Sequence, residues 1–390
     1  MRKKILIAIS GILSAGIITW FLLPRYMQSA IFYLKPGILD YNIFENRLVN
    51  NGKFLQWPVD ERYNATKISS QALKEIEKYN TVAYLVIEDG KLLHEEYWDG
   101  WTDTTISNSF SMAKSIISLL IGCLADEGKI SLDDTVHKYI PELQDLPDHP
   151  ILIRHLLNMS SGLGWDESYS NLTSVTTEAY YGSDITHLVT SLKPVEEPGK
   201  IHRYKSCDSQ LLGIIVARVS GMSMSDYASK RIWQPLGAGS PALWSLDRDN
   251  GTEKAYCCFN SIARDFARIG QMVLDSGRVS GRQVISTDYI IEATSPATGL
   301  NDEDGKPCEF YGYQFWLTDY LGYKVVYARG ILGQYIFVIP SLKTVIVRLG
   351  HQRSENYKNH IPTDAYVYLE EGIRLAVQNK KAGNIHAGSR

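Results

Sequence analysis

A serine and a lysine three residues apart open the most apolar stretch that follows the N-terminal segment. Ser111-Met112-Ala113-Lys114 runs into Ile116, Ile117, Leu119, Leu120, Ile121 and Leu124. Side chains three apart on a helix share one face, so the hydroxyl and the amine meet. The apolar residues mark a core helix, and burial in its first turn disfavours an ammonium. The positive end of the helix dipole acts in the same direction. An amine kept neutral in this way is a general base toward a neighbouring hydroxyl, the arrangement of an activated serine nucleophile. The competing reading is an ordinary first turn with a solvated lysine.

Two further segments follow in order. Arg154-His155-Leu156-Leu157-Asn158-Met159-Ser160-Ser161-Gly162-Leu163 is the first; Pro198-Gly199-Lys200-Ile201-His202-Arg203-Tyr204-Lys205-Ser206 is the second and leads into Leu211-Leu212-Gly213-Ile214-Ile215. With these segments the chain resembles the serine β-lactamase and penicillin-binding-protein superfamily from about Thr81 to Leu349. Within it, the motifs are most similar to the class C β-lactamase-like branch that holds esterases and 6-aminohexanoate-oligomer hydrolases. The resemblance implies that Ser111 is the acylated nucleophile, Lys114 its base, and Tyr204 the residue that relays a proton to the leaving group.

Departures from the family pattern bear on the substrate. Tyr204-Lys205-Ser206 replaces the Tyr-x-Asn of class C enzymes, putting a shorter hydroxyl where an amide would hold a substrate carbonyl. The third motif, Lys-Thr-Gly or His-x-Gly in relatives, reads Ala328-Arg329-Gly330, so the cation that grips a β-lactam carboxylate is missing from its usual place; Arg329 substitutes only if its side chain turns inward. Gly330-x-x-Gly333-Gln334 is similar to the oligomer-amide hydrolases instead, which implies an oxyanion hole of the Ser111 and Ile331 N–H groups. The same resemblance puts Tyr169 on a mobile loop over the bound amide, the competing reading being an exposed tyrosine beside an acidic loop. Tyr169, Ser206, Arg329 and Gly330 are thus the expected substrate contacts. Tyr180-Tyr181-Gly182-Ser183-Asp184 reads as surface and capping groups, and Tyr256 to Ser261 as packing.

The elements that must position these residues follow from pattern. Val82 to Ile87 and Leu92 to Trp98 form a hairpin about Glu88-Asp89-Gly90-Lys91. Short strands recur at Tyr313–Leu317, Tyr323–Ala328, Tyr335–Ile339 and Thr344–Leu349, whereas the chain between is helical, at Ala113–Glu127, Ser209–Val219, Ser225–Trp233 and Ile262–Asp275; a last helix covers Asp364–Gln378. Strands at both ends around a helical insertion predict an α+β, β-lactamase/transpeptidase-like fold whose terminal strands share one antiparallel sheet. GxGxxG, GxxxxGK[ST] and GxSxG are all absent.

The N-terminus predicts a membrane anchor. Met1-Arg2-Lys3-Lys4 precedes an uncharged run from Ile5 to Leu23, at about 20 residues long enough to span as a helix. The expected organisation is a signal-anchor over residues 1–30, a linker and wrap over 31–75, the hydrolase domain over 76–379 and a flexible tail over 380–390. By the positive-inside rule, the expected location is the inner membrane, single-pass, with the domain periplasmic or extracellular; a cleaved leader and a secreted or periplasmic protein is the alternative. Forty basic against 43 acidic side chains give a net charge of -3, which offers no footprint for nucleic acid. The five cysteines lack CxxC spacing, and Cys257 and Cys258, being adjacent, are expected not to bridge each other. No HExxH is present, and neither metal nor cofactor is expected.

The expected function is therefore that of a serine hydrolase opening a linear amide or carboxylic ester of a small molecule through an acyl-enzyme on Ser111. The alternatives are a β-lactamase or DD-peptidase acting on cell-wall-type substrates, and a catalytically silent binding or sensor protein. The sequence leaves oligomeric state open.

Overall fold

Two strands from the front of the chain and four from its end make the central sheet of the computed structural model, which describes residues 19–144, 148–169 and 171–387. They are β1 (Thr81–Glu88), β2 (Lys91–Tyr97), β3 (Trp316–Tyr320), β4 (Tyr323–Gly330), β5 (Gln334–Ile339) and β6 (Thr344–Gly350). Their spatial order is β2-β1-β6-β5-β4-β3, and every neighbouring pair is antiparallel. The β1–β2 turn is tight because Asp89 and Gly90 both take positive φ (49° and 74°), which matches the twist of the flanking strands. Strand β3 begins at Trp316, three residues later than the apolar pattern from Tyr313 suggests.

Five helices frame the sheet and the site: α1 (Ser70–Lys78), α2 (Met112–Asp126), α3 (Ser206–Ser220), α4 (Ala263–Leu274) and α5 (Thr363–Ala387). Because strand side chains alternate, the sheet divides the interior into two cores. Leu85, Ile87, Ile336, Val338, Val345 and Val347 join α2, α3 and α4 in the larger one. Tyr84, Val86, Phe337 and Ile346 face α1 and α5. Helix α4 approaches the sheet so closely that a Cβ on Gly270 would lie 2.5 Å from Val345 Cγ1. Every residue of α2 from Met112 to Leu124 is buried, which is why its first turn can desolvate a lysine.

A second sheet of four short strands, in the order Asn46–Val49, Ala242–Ser245, Phe259–Ser261, Ser107–Asn108, ties residues 31–75 to the helical insertion. Its last strand delivers the chain to Ser111. Helix α5 extends past Gln378 into the expected tail, since the Lys-Lys-Ala run at 380–382 is made of good helix formers. Cys257 and Cys258 are bridged, contrary to the expectation from adjacency; a left-handed Cys258 (φ 67°) turns the chain so that the two sulfurs meet.

The expected membrane anchor, and with it the single-pass inner-membrane location, is corrected. Among the described residues no helix is long and apolar enough to cross a membrane. Pro24 breaks the helical run, and the helix after it, Arg25–Tyr33, has nine residues, about 14 Å against a hydrocarbon core of roughly 30 Å. Residues 1–18, which carry most of the apolar run, lie outside the described residues.

Candidate active site

Ser111 is the residue on which α2 begins. Ser109 N–H donates to the Phe259 carbonyl (2.9 Å) and Phe110 N–H to Asn108 Oδ1 (2.8 Å). Between them the chain is forced into a left-handed conformation at Phe110 (φ 45°), which costs a non-glycine residue about 1–3 kcal/mol. That bend presents the Ser111 side chain to a cleft of about 930 Å³. Lys114, one turn on and 1% exposed, places Nζ 3.1 Å from Ser111 Oγ, 3.1 Å from Ser206 Oγ and 2.8 Å from the Tyr256 carbonyl oxygen. Burial pulls the amine down to about 8, while the negative charge of Glu167 works against the shift. At pH 7 about one lysine in ten is then neutral.

Tyr204 completes the cluster from the loop before α3. Its ring stacks on Trp316 (5.3 Å between centroids) and meets Tyr311 edge-on. Burial, then the charge of Glu167, hold its hydroxyl well above the ordinary phenol range, so it stays a proton donor. Opposite Ser111, β4 ends at Gly330 and turns through Ile331–Gly333 into β5. Buried Arg348 pins this turn by donating to the carbonyls of Leu332 (2.9 Å) and Gly333 (2.7 Å), and Gln334 Nε2 donates to the Gly350 carbonyl (2.7 Å). Ile331 lines the same cleft as Ser111.

Gly330 packs against the segment that precedes Ser111. A Cβ there would collide with the Ser109 carbonyl oxygen and lie 3.1 Å from both Phe110 Cβ and Gln334 Cβ. Gly330→Ala is therefore expected to push the turn away from Ser111 and slow active-site acylation by about 100-fold or more, on the scale of a lost oxyanion donor. A stopped-flow acylation rate alongside a melting curve checks this; an unchanged acylation rate contradicts it.

The expected substrate contacts separate. Tyr169 and Ser206 line the cleft. Ser206 is nevertheless engaged, its hydroxyl donating to Glu167 Oε1 (2.6 Å) while Lys114 donates to it. Arg329 is not among the cleft-lining residues: its guanidinium lies 3.6 Å over the Trp316 ring and donates to the His360 carbonyl (2.6 Å), a cation–π and hydrogen-bonded seat that turns it away. Gly330 acts by its missing side chain.

Residues read from sequence as surface or packing groups also enter. Tyr180 and Tyr181 line the cleft, as does Cys257, and the Tyr256 main chain supplies a partner of Lys114. Leu34, Lys35, Pro36 and Gly37 form one wall, and Tyr33 stacks on Tyr181 (6.1 Å). Arg353 lines the opposite side near Tyr357 and forms no ion pair among the described residues. Glu167, a carboxylate in the loop that carries Tyr169, enters through Ser206, from whose hydroxyl and backbone N–H it accepts.

The chain is similar to known proteins. The 6-aminohexanoate-dimer hydrolase of Paenarthrobacter ureafaciens is 28% identical over 293 residues, 71% of this chain and 74% of that protein. A Bacillus anthracis structure provisionally assigned as a 6-aminohexanoate-dimer hydrolase superposes with a TM-score of 0.71 at 21% identity, covering 88% of this chain and 93% of that one. A family VIII carboxylesterase superposes with a TM-score of 0.60 at 16% identity, over 80% and 99% of the two chains. The family described as Beta-lactamase matches residues 70–367, which take in everything from α1 to the start of α5, and the chain therefore belongs to that family of serine hydrolases.

Proposed function

We propose that the protein hydrolyses a linear amide or carboxylic ester of a small molecule through an acyl-enzyme on Ser111. The observation that carries this reading is a buried amine, lowered to about 8, with its nitrogen 3.1 Å from the Ser111 hydroxyl. Ser111 Oγ attacks the carbonyl carbon as its proton passes to Lys114 Nζ. The N–H groups of Ser111 and Ile331 hold the tetrahedral oxyanion, and Tyr204 gives a proton to the departing amine or alcohol and takes back the proton held on Lys114, which restores both groups for the attack of water. Water then attacks the acyl carbon and frees Ser111. Tyr169, on the cleft rim, contacts the amide or ester being cleaved.

A preference for linear substrates follows from the third motif. Ala328 stands where relatives carry a lysine or histidine, and Arg329 faces Trp316. Arg353 favours a second reading, a β-lactamase or DD-peptidase, because it offers the cleft a cation for a carboxylate. The two are separated by comparing kcat/KM for p-nitrophenyl butyrate and a linear 6-aminohexanoate amide with that for nitrocefin. The ester or linear amide is expected to win by about tenfold or more. Nitrocefin turnover without either of the others reverses the ranking.

A further inference from the structure

Glu167 has a full set of partners, and its carboxylate oxygens accept from each of them. Its Oε2 accepts from the Ser206 backbone N–H (2.7 Å) and from Trp165 Nε1 (2.6 Å). Both groups can only donate, so Oε2 carries no proton. Its Oε1 accepts from Ser206 Oγ (2.6 Å) and from the Tyr169 hydroxyl. The single hydroxyl proton of Ser206 is thereby committed to Glu167, and Ser206 Oγ meets Lys114 Nζ, 3.1 Å away, with lone pairs alone.

A neutral amine has two N–H bonds and one lone pair. Around Lys114 Nζ there are three neighbours: the Tyr256 carbonyl, which can only accept; Ser206 Oγ, turned into an acceptor; and Ser111 Oγ. The first two take both N–H bonds. What remains for Ser111 is the lone pair. If Ser206 instead pointed its proton at Lys114, that lone pair would be occupied and the base lost.

We propose that Glu167 is a positioning residue that, by holding the Ser206 proton, aims the lone pair of Lys114 at the hydroxyl of Ser111. The inference rests on the acyl-enzyme reading above. Glu167 also acts through its charge, which raises the Lys114 pKa; the other titratable groups facing this amine are Cys207, Tyr204 and Tyr256, the two tyrosine rings lying 5.2 and 5.3 Å from Nζ.

The test measures labelling by a fluorophosphonate probe against pH for the full chain, Glu167→Gln, Ser206→Ala and the double variant. Glutamine keeps the shape of the side chain, but its amide can donate to Ser206 Oγ and release the Ser206 proton toward Lys114. Glu167→Gln is expected to lower the plateau labelling rate by about 10- to 100-fold with little change in the half-saturating probe concentration. Its acid limb should move to lower pH, since removing the negative charge makes Lys114 easier to deprotonate. Ser206→Ala should be slow as well, and adding Glu167→Gln to it should cost at most about twofold more, because the carboxylate acts through Ser206.

Losses that multiply in the double variant, or a wild-type plateau in Glu167→Gln, overturn the inference. If Glu167→Gln lacks a native circular dichroism spectrum, the Ser206 pair decides. Ser206→Thr, which keeps a hydroxyl, should label faster than Ser206→Ala, and a wild-type rate in Ser206→Ala overturns the inference. An unlabelled wild-type chain removes the acyl-enzyme reading itself. A wild-type chain that labels in a Lys114-dependent way, with multiplying losses, removes only the role of Glu167.

Discussion

Ser111→Ala is expected to abolish fluorophosphonate labelling and to reduce turnover by a factor on the order of 10⁴ or more, leaving only what the oxyanion donors and substrate binding supply. The fold should not notice. Although Ser111 sits at the N-cap of α2, its side chain makes no capping hydrogen bond, so deleting the hydroxyl removes no cap, and Lys114 keeps Ser206 Oγ and the Tyr256 carbonyl as partners. The melting temperature should accordingly stay within about 1 °C of the wild type, inside the shift of roughly 1.5 °C that a 1 kcal/mol change produces in a domain of about 300 residues. Activity and stability measured on the same preparation give the result its meaning: lost turnover with a preserved melting curve assigns the loss to chemistry, and retained turnover rejects Ser111 as the nucleophile.

Lys114→Met should separate function from stability in the opposite direction. Methionine fills nearly the same volume without a charge, so acylation should cease while the melting temperature at neutral pH rises. The sign follows from linkage. Lys114 has its pKa lowered from 10.5 to about 8 in the folded protein. Between those values the unfolded chain binds the proton and the folded one does not, so stability gains with rising pH across that window; below it the folded state carries a buried ammonium at a standing cost. Replacing that ammonium relieves the cost, a trade of stability for activity. In the wild type, kcat/KM should rise with pH through about 8, and calorimetry of the methionine variant should lack the stability gain above pH 8. A flat rate profile, or a methionine variant that still acylates, rejects Lys114 as the base.

The parts of the site that sequence made visible are those set by local geometry. Ser111 and Lys114 are such a pair, because a spacing of three on an apolar helix puts them on one face whatever surrounds them. The hairpin about Asp89-Gly90 and the strands of the C-terminal end are visible for a similarly local reason, each being a short run of β-branched and aromatic residues bounded by turn residues. Tyr204 required the family pattern, since nothing local distinguishes it among 24 tyrosines. The outward direction of Arg329 is not legible in the sequence because it is decided by Trp316 and His360, partners that only the folded chain brings near. The Tyr256 carbonyl could not be found from any residue type, as every residue has one. The second sheet escaped because strands of two to four residues carry no period. Cys257–Cys258 escaped because a single left-handed residue outweighs the general rule against bridging neighbours.

The pairing of β1 with β6 sets when, as well as where, this site comes into being. Residues 81–88 wait for residues 344–350 before the middle of the sheet can close, and Ser111 waits for the turn at Gly330. At about 5–20 residues per second, a ribosome needs tens of seconds to supply the missing strands. During that interval the edge of β1 and the apolar face of α2 have no sheet to rest on. Such long-range closure also slows refolding, because the loop entropy must be spent before the contacts that repay it exist. The nascent chain therefore holds its serine and lysine one turn apart long before it can use them, and the last strands to be made act as the switch that turns a helix into an active site.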